Sequence, residues 1–178
     1  KKQIPAERLN RAACVAIFPE ITEAALVVGG KHGTGITSCR VADGTWSRVG
    51  FLDINGASLG AQIGVKSTDL VLLFNNAKAR EILSKGKVAL GAALTVTAGS
   101  TDASKSAQTA MSDVYSYSRS GGAFVGALLE GTTINADEGS LKSFYGEQAT
   151  IGSTLASSNI PPERAMLNDF VKSLPTRG

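Results

Sequence analysis

Between Gly56 and Val65 the chain alternates with a period of two. Ala57, Leu59, Ala61, Ile63 and Val65 occupy one phase, and Gly56, Ser58, Gly60, Gln62 and Gly64 the other. Successive strand residues point to opposite faces, so this pattern predicts a half-buried β-strand. Its second phase is mostly glycine. A face without side chains lets another segment approach closely or lets the strand bend, as strands do when a small barrel closes. Glycine, alanine and serine together fill 62 of the 178 positions, which implies many tight turns and close backbone contacts.

The rest of the chain supplies more strands and a few helices. Pro5 suits the first turn of a short amphipathic helix with Leu9, Ala12, Ala13 and Ala16 at helical spacing, and Pro19 closes it. Ala24 to Val28, the stretch Gly29 to Gly35, and Ile36 to Val41 predict strand, glycine-rich connection, strand. Asp43-Gly44 marks a turn before a strand from Trp46 to Leu52. Thr68 to Phe74 is apolar on both phases and reads as a strand covered on each side. Asn75 or Asn76 caps a helix running through Ser84, Val88 to Val96 reads as a strand, and Gly99 to Asp113 as a mobile loop.

Val114 to Arg119 and Ala123 to Glu130 follow as strands. Asp137 starts a helix carrying Leu141, Phe144 and Tyr145, and Pro161-Pro162 opens a last one striped by Met166, Leu167, Phe170, Val171 and Leu174. With 178 residues and 43% apolar composition, residues 1–178 are expected to form a single domain with its own core. No strand-helix repeat points to a parallel sheet. The expected class is α+β: a small, mostly antiparallel β-barrel with three or four helices packed on its outside.

Few residues can carry chemistry. Two cysteines and one histidine exclude zinc ribbons, CxxC redox sites and paired-histidine metal sites, so neither metal nor cofactor is expected. His32 lies among glycines with no GxSxG elbow or cysteine signature beside it, so a hydrolase built on it is the weakest reading and no catalytic residue is assigned. Gly29 to Gly35 lacks P-loop spacing, and the strand pattern after it denies a dinucleotide fingerprint. Cys14 and Cys39 sit beside apolar residues and are either two small core thiols or a bridged pair. The longest apolar runs, such as Ala123 to Leu129, are far short of the ~20 residues of a membrane-spanning helix.

Charge is uneven. Residues 1–90 hold 12 Lys/Arg against 7 Asp/Glu, net +5, and residues 91–178 hold 6 against 8, net −2. A basic half suits an anionic partner. Nucleic acid is not expected, because Trp46, Phe51, Phe74, Phe124 and Phe144 fall in apolar patterns rather than among basic residues.

Three stretches in order resemble one family: Gly29 to Gly35 before a strand; Trp46-Ser47 followed by Gly56 to Gly64 and Asp69 to Leu73; and Tyr117 to Gly131 ending in Phe144-Tyr145-Gly146. This order resembles the SYLF domain family, lipid-binding modules of eukaryotic membrane-traffic and actin-patch proteins and of bacterial secreted or lipid-anchored proteins. The resemblance implies a non-enzymatic module that binds anionic phospholipid headgroups of the phosphoinositide type at a membrane surface. It also implies a basic N-terminal segment, here Lys1, Lys2, Arg8 and Arg11, as the lipid contact, to which Lys31, Arg40 and Arg48 add if they share a face. Four cations at ~1 kcal/mol each correspond to a dissociation constant on the order of 1 mM, so binding is expected to be weak and electrostatic. A periplasmic or envelope location in a bacterium is expected, with a removed N-terminal lipid anchor raising the effective concentration. The alternative is a protein-interaction or scaffold domain for an envelope protein or actin-like filament.

Overall fold

The computed structural model of the chain describes residues 3–25, 28–59, 64–102, 111–120, 122–127, 129, 131–159 and 165–176. The strands are β1 (Cys14–Ala25), β2 (Val28–Cys39), β3 (Gly50–Leu59), β4 (Gly64–Phe74), β5 (Lys87–Ala89), β6 (Val96–Ala98), β7 (Val114–Ser120), β8 (Ala123–Gly126) and β9 (Thr132–Ala136). They form one sheet in the order β5-β9-β3-β2-β1-β4-β7-β6, with β8 also on β7. Only the β6–β7 pairing is parallel among the described residues. The described helices are α1 (Ala6–Arg11), α2 (Ala77–Ser84), α3 (Glu138–Tyr145), α4 (Ile151–Leu155) and α5 (Ala165–Ser173).

The α+β class is as expected, but the sheet is open and not a barrel. A flat sheet would hold β5 and β6 about 34 Å apart at ~4.8 Å per strand. The seven-residue step from Ala89 to Val96 reaches at most ~25 Å, so the sheet must curl. Among the described residues no ladder joins its two ends; they meet at a turn in which Ala93 N–H donates to Ala89 O and Gly91 N–H to Leu94 O, with a single bridge between Leu90 and Leu94. That turn divides the strand expected over Val88 to Val96, and one bridge does not make the ladder that closure needs.

Helices cover both faces of the sheet. On the first face Phe18, Leu52, Ile54, Leu72 and Phe74 pack with Ala79 and Leu83 of α2, Leu141 of α3, and Ile151 and Leu155 of α4. On the second face Val15, Val71, Leu73, Tyr115 and Tyr117 pack with Leu9 of α1 and with Phe170 and Val171 of α5. Thr68 to Phe74 is covered on both sides for this reason. The helices therefore sandwich an open sheet instead of ringing a barrel. Asn76 and Asp137 cap α2 and α3 through Ala79 N–H and Ser140 N–H, as their positions predicted.

Three local expectations give way to tertiary structure. The first helix ends at Arg11, and Cys14 already starts β1. Of the expected helical stripe, Leu9 and Ala12 pack in the second core, while Ala16 lies on β1, whose residues alternate: Cys14, Ala16 and Phe18 face the first core and Val15 the second. Pro19 lies inside β1. There the register shifts by one residue against both neighbours, between Ile17 and Thr22 and between Phe18 and Ile21. This is a β-bulge, where a residue without an N–H is tolerated. Glu20 takes φ 57°, and the extra residue resets the alternation so that Ile21 again faces the first core.

Gly29 to Gly35 is likewise no connection; it lies within β2, paired to β1 and β3 at once. A Cβ on Gly35 would lie 2.4 Å from Phe18 Cδ1 and 2.5 Å from Ile17 O, and one on Gly33 would lie 2.9 Å from Ile21 Cγ1. These glycines make room for Phe18 and Ile21 on either side of the bulge. The alternation from Gly56 to Val65 is shared between the end of β3 and the start of β4, with residues 60–63 outside the described residues. The strand expected from Trp46 begins only at Gly50, and the one expected to reach Glu130 ends at Gly126. Residues 103–110 of the expected loop and 160–164 before α5 also lie outside the described residues.

One polar clamp and one covalent bond fix the ends of these elements. Asp113 accepts from the Asn76 amide at 2.8 Å, from Thr95 N–H at 2.9 Å and hydroxyl at 3.0 Å, and from Lys78 Nζ at 3.2 Å. The Asn76 bond foremost, then those of Thr95 and Lys78, lower its pKa to about 2 against the opposing effect of burial. Cys14 and Cys39, directly opposed on β1 and β2, form a disulfide buried in the first core.

Candidate functional site

On the second face the helical cover stops near the bulge. Ile17 of β1, Ile36 of β2 and Phe51 of β3 are register partners in one row across three strands, and all three are half-buried. Together with Pro19, Thr34 and Ser140 they line a groove of about 340 Å³. Phe51 lies 4.7 Å from the ring of Phe144, centroid to centroid, and Phe144 is 37% exposed. Tyr145 steadies this corner by donating from its hydroxyl to Val49 O at 2.9 Å.

One end of the groove is acidic. Asp137 N–H donates to Phe51 O at 2.9 Å, which ties the carboxylate to the end of the apolar row. Its oxygens accept from Ser140 N–H at 3.0 Å and hydroxyl at 2.6 Å. Asp53 stands two residues beyond Phe51 on the same face of β3. Burial raises the Asp53 pKa, Asp137 adds to the rise, and His32 opposes it. His32 itself is exposed and its Nδ1 lies 2.7 Å from Asn55 Oδ1. The disulfide removes both thiols as nucleophiles. Among the described residues no group of three or more His, Cys, Asp or Glu is placed to hold a metal ion.

Among the described residues, the basic side chains singled out in the sequence do not gather in one patch. Lys1 and Lys2 lie outside the described residues. Arg8 is buried with its guanidinium 3.8 Å from the Tyr115 ring centroid. Arg40 is buried too, donating to Ala12 O at 3.3 Å, Gly44 O at 3.1 Å and Pro175 O at 3.0 Å and stacking on Trp46 at 4.2 Å. These two arginines clamp the N- and C-terminal segments to the sheet. Arg11 is exposed and pairs with Glu7 at 3.1 Å. Arg48 donates from Nε to Asn159 O and lies 5.4 Å from the Tyr145 ring. Lys31 projects from the face opposite the groove, since a Cβ on its partner Gly56, in phase with Ile54, would lie 2.7 Å from Lys31 Cε.

The sequence reading passed over Ile17, Ile36, Asp53 and the groove. The available signal was apolar residues on both phases of β1, which announces cover on two faces but not where that cover ends.

The fold is of the α+β class: an open, mostly antiparallel sheet with helices on both faces and an apolar groove that ends at Asp137. Residues 55–174 match the family described as Ysc84, Las17-binding protein actin regulator. The chain belongs to the Ysc84 (SYLF) domain family. It is 34% identical over 166 residues to protein YSC84 of Saccharomyces cerevisiae, covering 89% of this chain and 35% of that protein. LAS seventeen-binding protein 3 of the same species is 33% identical over 165 residues, covering 89% and 36%. Human SH3 domain-containing YSC84-like protein 1 is 32% identical over 148 residues, covering 81% and 43%. The chain thus spans less than half the length of these relatives. No solved structure matches it.

Proposed function

We propose that this domain is a non-enzymatic protein-interaction module, with a component of an actin-like filament system or an envelope protein as its partner. The reading rests on kinship with proteins named for binding Las17 and described as actin regulators. The half-covered second face supports it, because Ile17, Ile36 and Phe51 offer apolar surface that a partner can bury. Co-sedimentation of the chain with actin filaments tests the reading. Pelleting that rises with filament concentration is the expected result, and a chain that stays in the supernatant at all concentrations would count against a filament partner.

Anionic phospholipid binding is the second reading, supported by the net +5 of residues 1–90. With Arg8 and Arg40 committed to internal contacts, its cations are Lys1, Lys2, Arg11, Lys31 and Arg48. Flotation with phosphatidylcholine vesicles, with and without a phosphoinositide, separates it from the first reading. Salt-sensitive flotation only with the phosphoinositide would favour lipid. An oxidising compartment such as a bacterial periplasm is the setting in which the Cys14–Cys39 bridge would persist.

A further inference from the structure

We infer that the groove over Ile17, Ile36 and Phe51 receives an extended segment of a protein partner that carries an apolar side chain and, two residues along, a lysine or arginine. The inference rests on the protein-interaction reading and adds the chemistry of the partner. Its first support is size: about 340 Å³ holds roughly two aliphatic side chains, near the lower end of the range for ligand pockets. Its second support is charge. Asp137 lines the groove beside Phe51, Asp53 lies just outside that lining, opposite Thr34 and close enough to Asp137 for their charges to interact, and among the described residues neither carboxylate is in a salt bridge. Their mutual repulsion contributes to the raised pKa of Asp53, and a partner's ammonium or guanidinium would relieve it.

The spacing follows from the strand. Phe51 and Asp53 are two residues apart on one face of β3, ~6.8 Å at the usual strand rise. Both edges of β3 are paired, so an extended segment lies over its face, and when parallel to the strand it presents its own side chains i and i+2 at the same interval. An anchor over Ile36 and Phe51 therefore places the next side chain on that face beside Asp53. Acidic residues at that position would face two carboxylates, so the groove also selects against them. The site is opposite in sign to the cations of the lipid reading, which makes the two experimentally separable.

The test uses the whole chain and two capped hexapeptides, Ser-Leu-Ser-Lys-Ser-Leu and Ser-Leu-Ser-Glu-Ser-Leu, titrated against the 15N-labelled protein. We expect amide shifts centred on Thr34, Ile36, Phe51 and Asp137, with the lysine peptide binding at least ~5-fold tighter, the worth of ~1 kcal/mol for an exposed ion pair. The Asp53→Asn, Asp137→Asn double variant keeps the α3 cap, since asparagine caps as well as aspartate, and should abolish the preference between the peptides. Equal affinity of the two peptides for the wild-type chain, shifts centred elsewhere, or shifts that appear on concentrating the protein alone, which would mean a second copy, would each overturn the proposal. Filament co-sedimentation that survives in the double variant while both peptides fail to bind wild type would remove the groove and leave the protein-interaction reading standing.

Discussion

The two halves of β1 share one strand and one sheet but stand in different surroundings. Before the bulge, Cys14, Val15, Ala16 and Phe18 are buried, with α1 and α5 over one face and the first core under the other. After it, Ile21 still faces the first core, while Glu20 and Thr22 are exposed on the second. The bulge keeps the inner face apolar across the change. What ends is the helical cover, and the groove lies where it ends. One side of a strand can therefore stay in the core past the point at which its other side becomes surface.

Substitutions on either side of the bulge, and an acid titration, would break or sharpen that contrast. Phe18→Ala, in the first half, should cost about 4 kcal/mol by urea unfolding; Ile17→Ala, at the groove, about 1 kcal/mol, because a half-buried side chain leaves less of a cavity. Similar losses for the two would mean that the groove is packed core. Gly35→Ala should cost about 3 kcal/mol, since its Cβ would meet the Ile17 carbonyl at 2.5 Å and backbone cannot rotate away. Gly30→Ala, in the far half, should stay within about 0.5 kcal/mol, as the nearest atom to its Cβ is Gly56 O at 3.8 Å.

Acid comes next. The Asp113 pKa is depressed in the fold, so the stability it contributes is fully present above the unfolded pKa of 3.8 and is lost as pH falls towards about 2. The loss should be on the order of 2 kcal/mol, and Asp113→Asn should flatten that part of the curve; an unchanged acid limb in the variant would show that the clamp at the α2 cap is not what titrates. One effect has the opposite sign. Glu20→Gly should raise stability by up to ~1 kcal/mol, because φ 57° strains a residue with a Cβ. A loss instead would show that the Glu20 side chain, rather than the backbone bend, holds the bulge.

Much of this fold was legible locally. Asn76 and Asp137 announced helix starts because a side-chain oxygen at that position satisfies an N–H of the first turn. Thr68 to Phe74 announced a doubly covered strand because both of its phases are apolar. The glycines of residues 29–35 misled for a physical reason: glycine marks a turn when it takes positive φ and marks a close approach when a neighbour's side chain needs the space. Composition alone does not tell these apart. Phe18 and Ile21 settle the case from another strand. The same holds for the arginines, since Arg8 and Arg40 look like surface charge until Tyr115, Trp46 and the Pro175 carbonyl close over them.

By itself the sequence determined the α+β class, the helix caps and the family, all of which follow from residue type and short spacing. The tertiary structure alone decided that the sheet stays open, which glycines admit side chains, that Cys14 meets Cys39, and where cover on the second face ends. Each of these depends on which distant segments become neighbours, and the free energy of burial is counted over those neighbours and not along the chain.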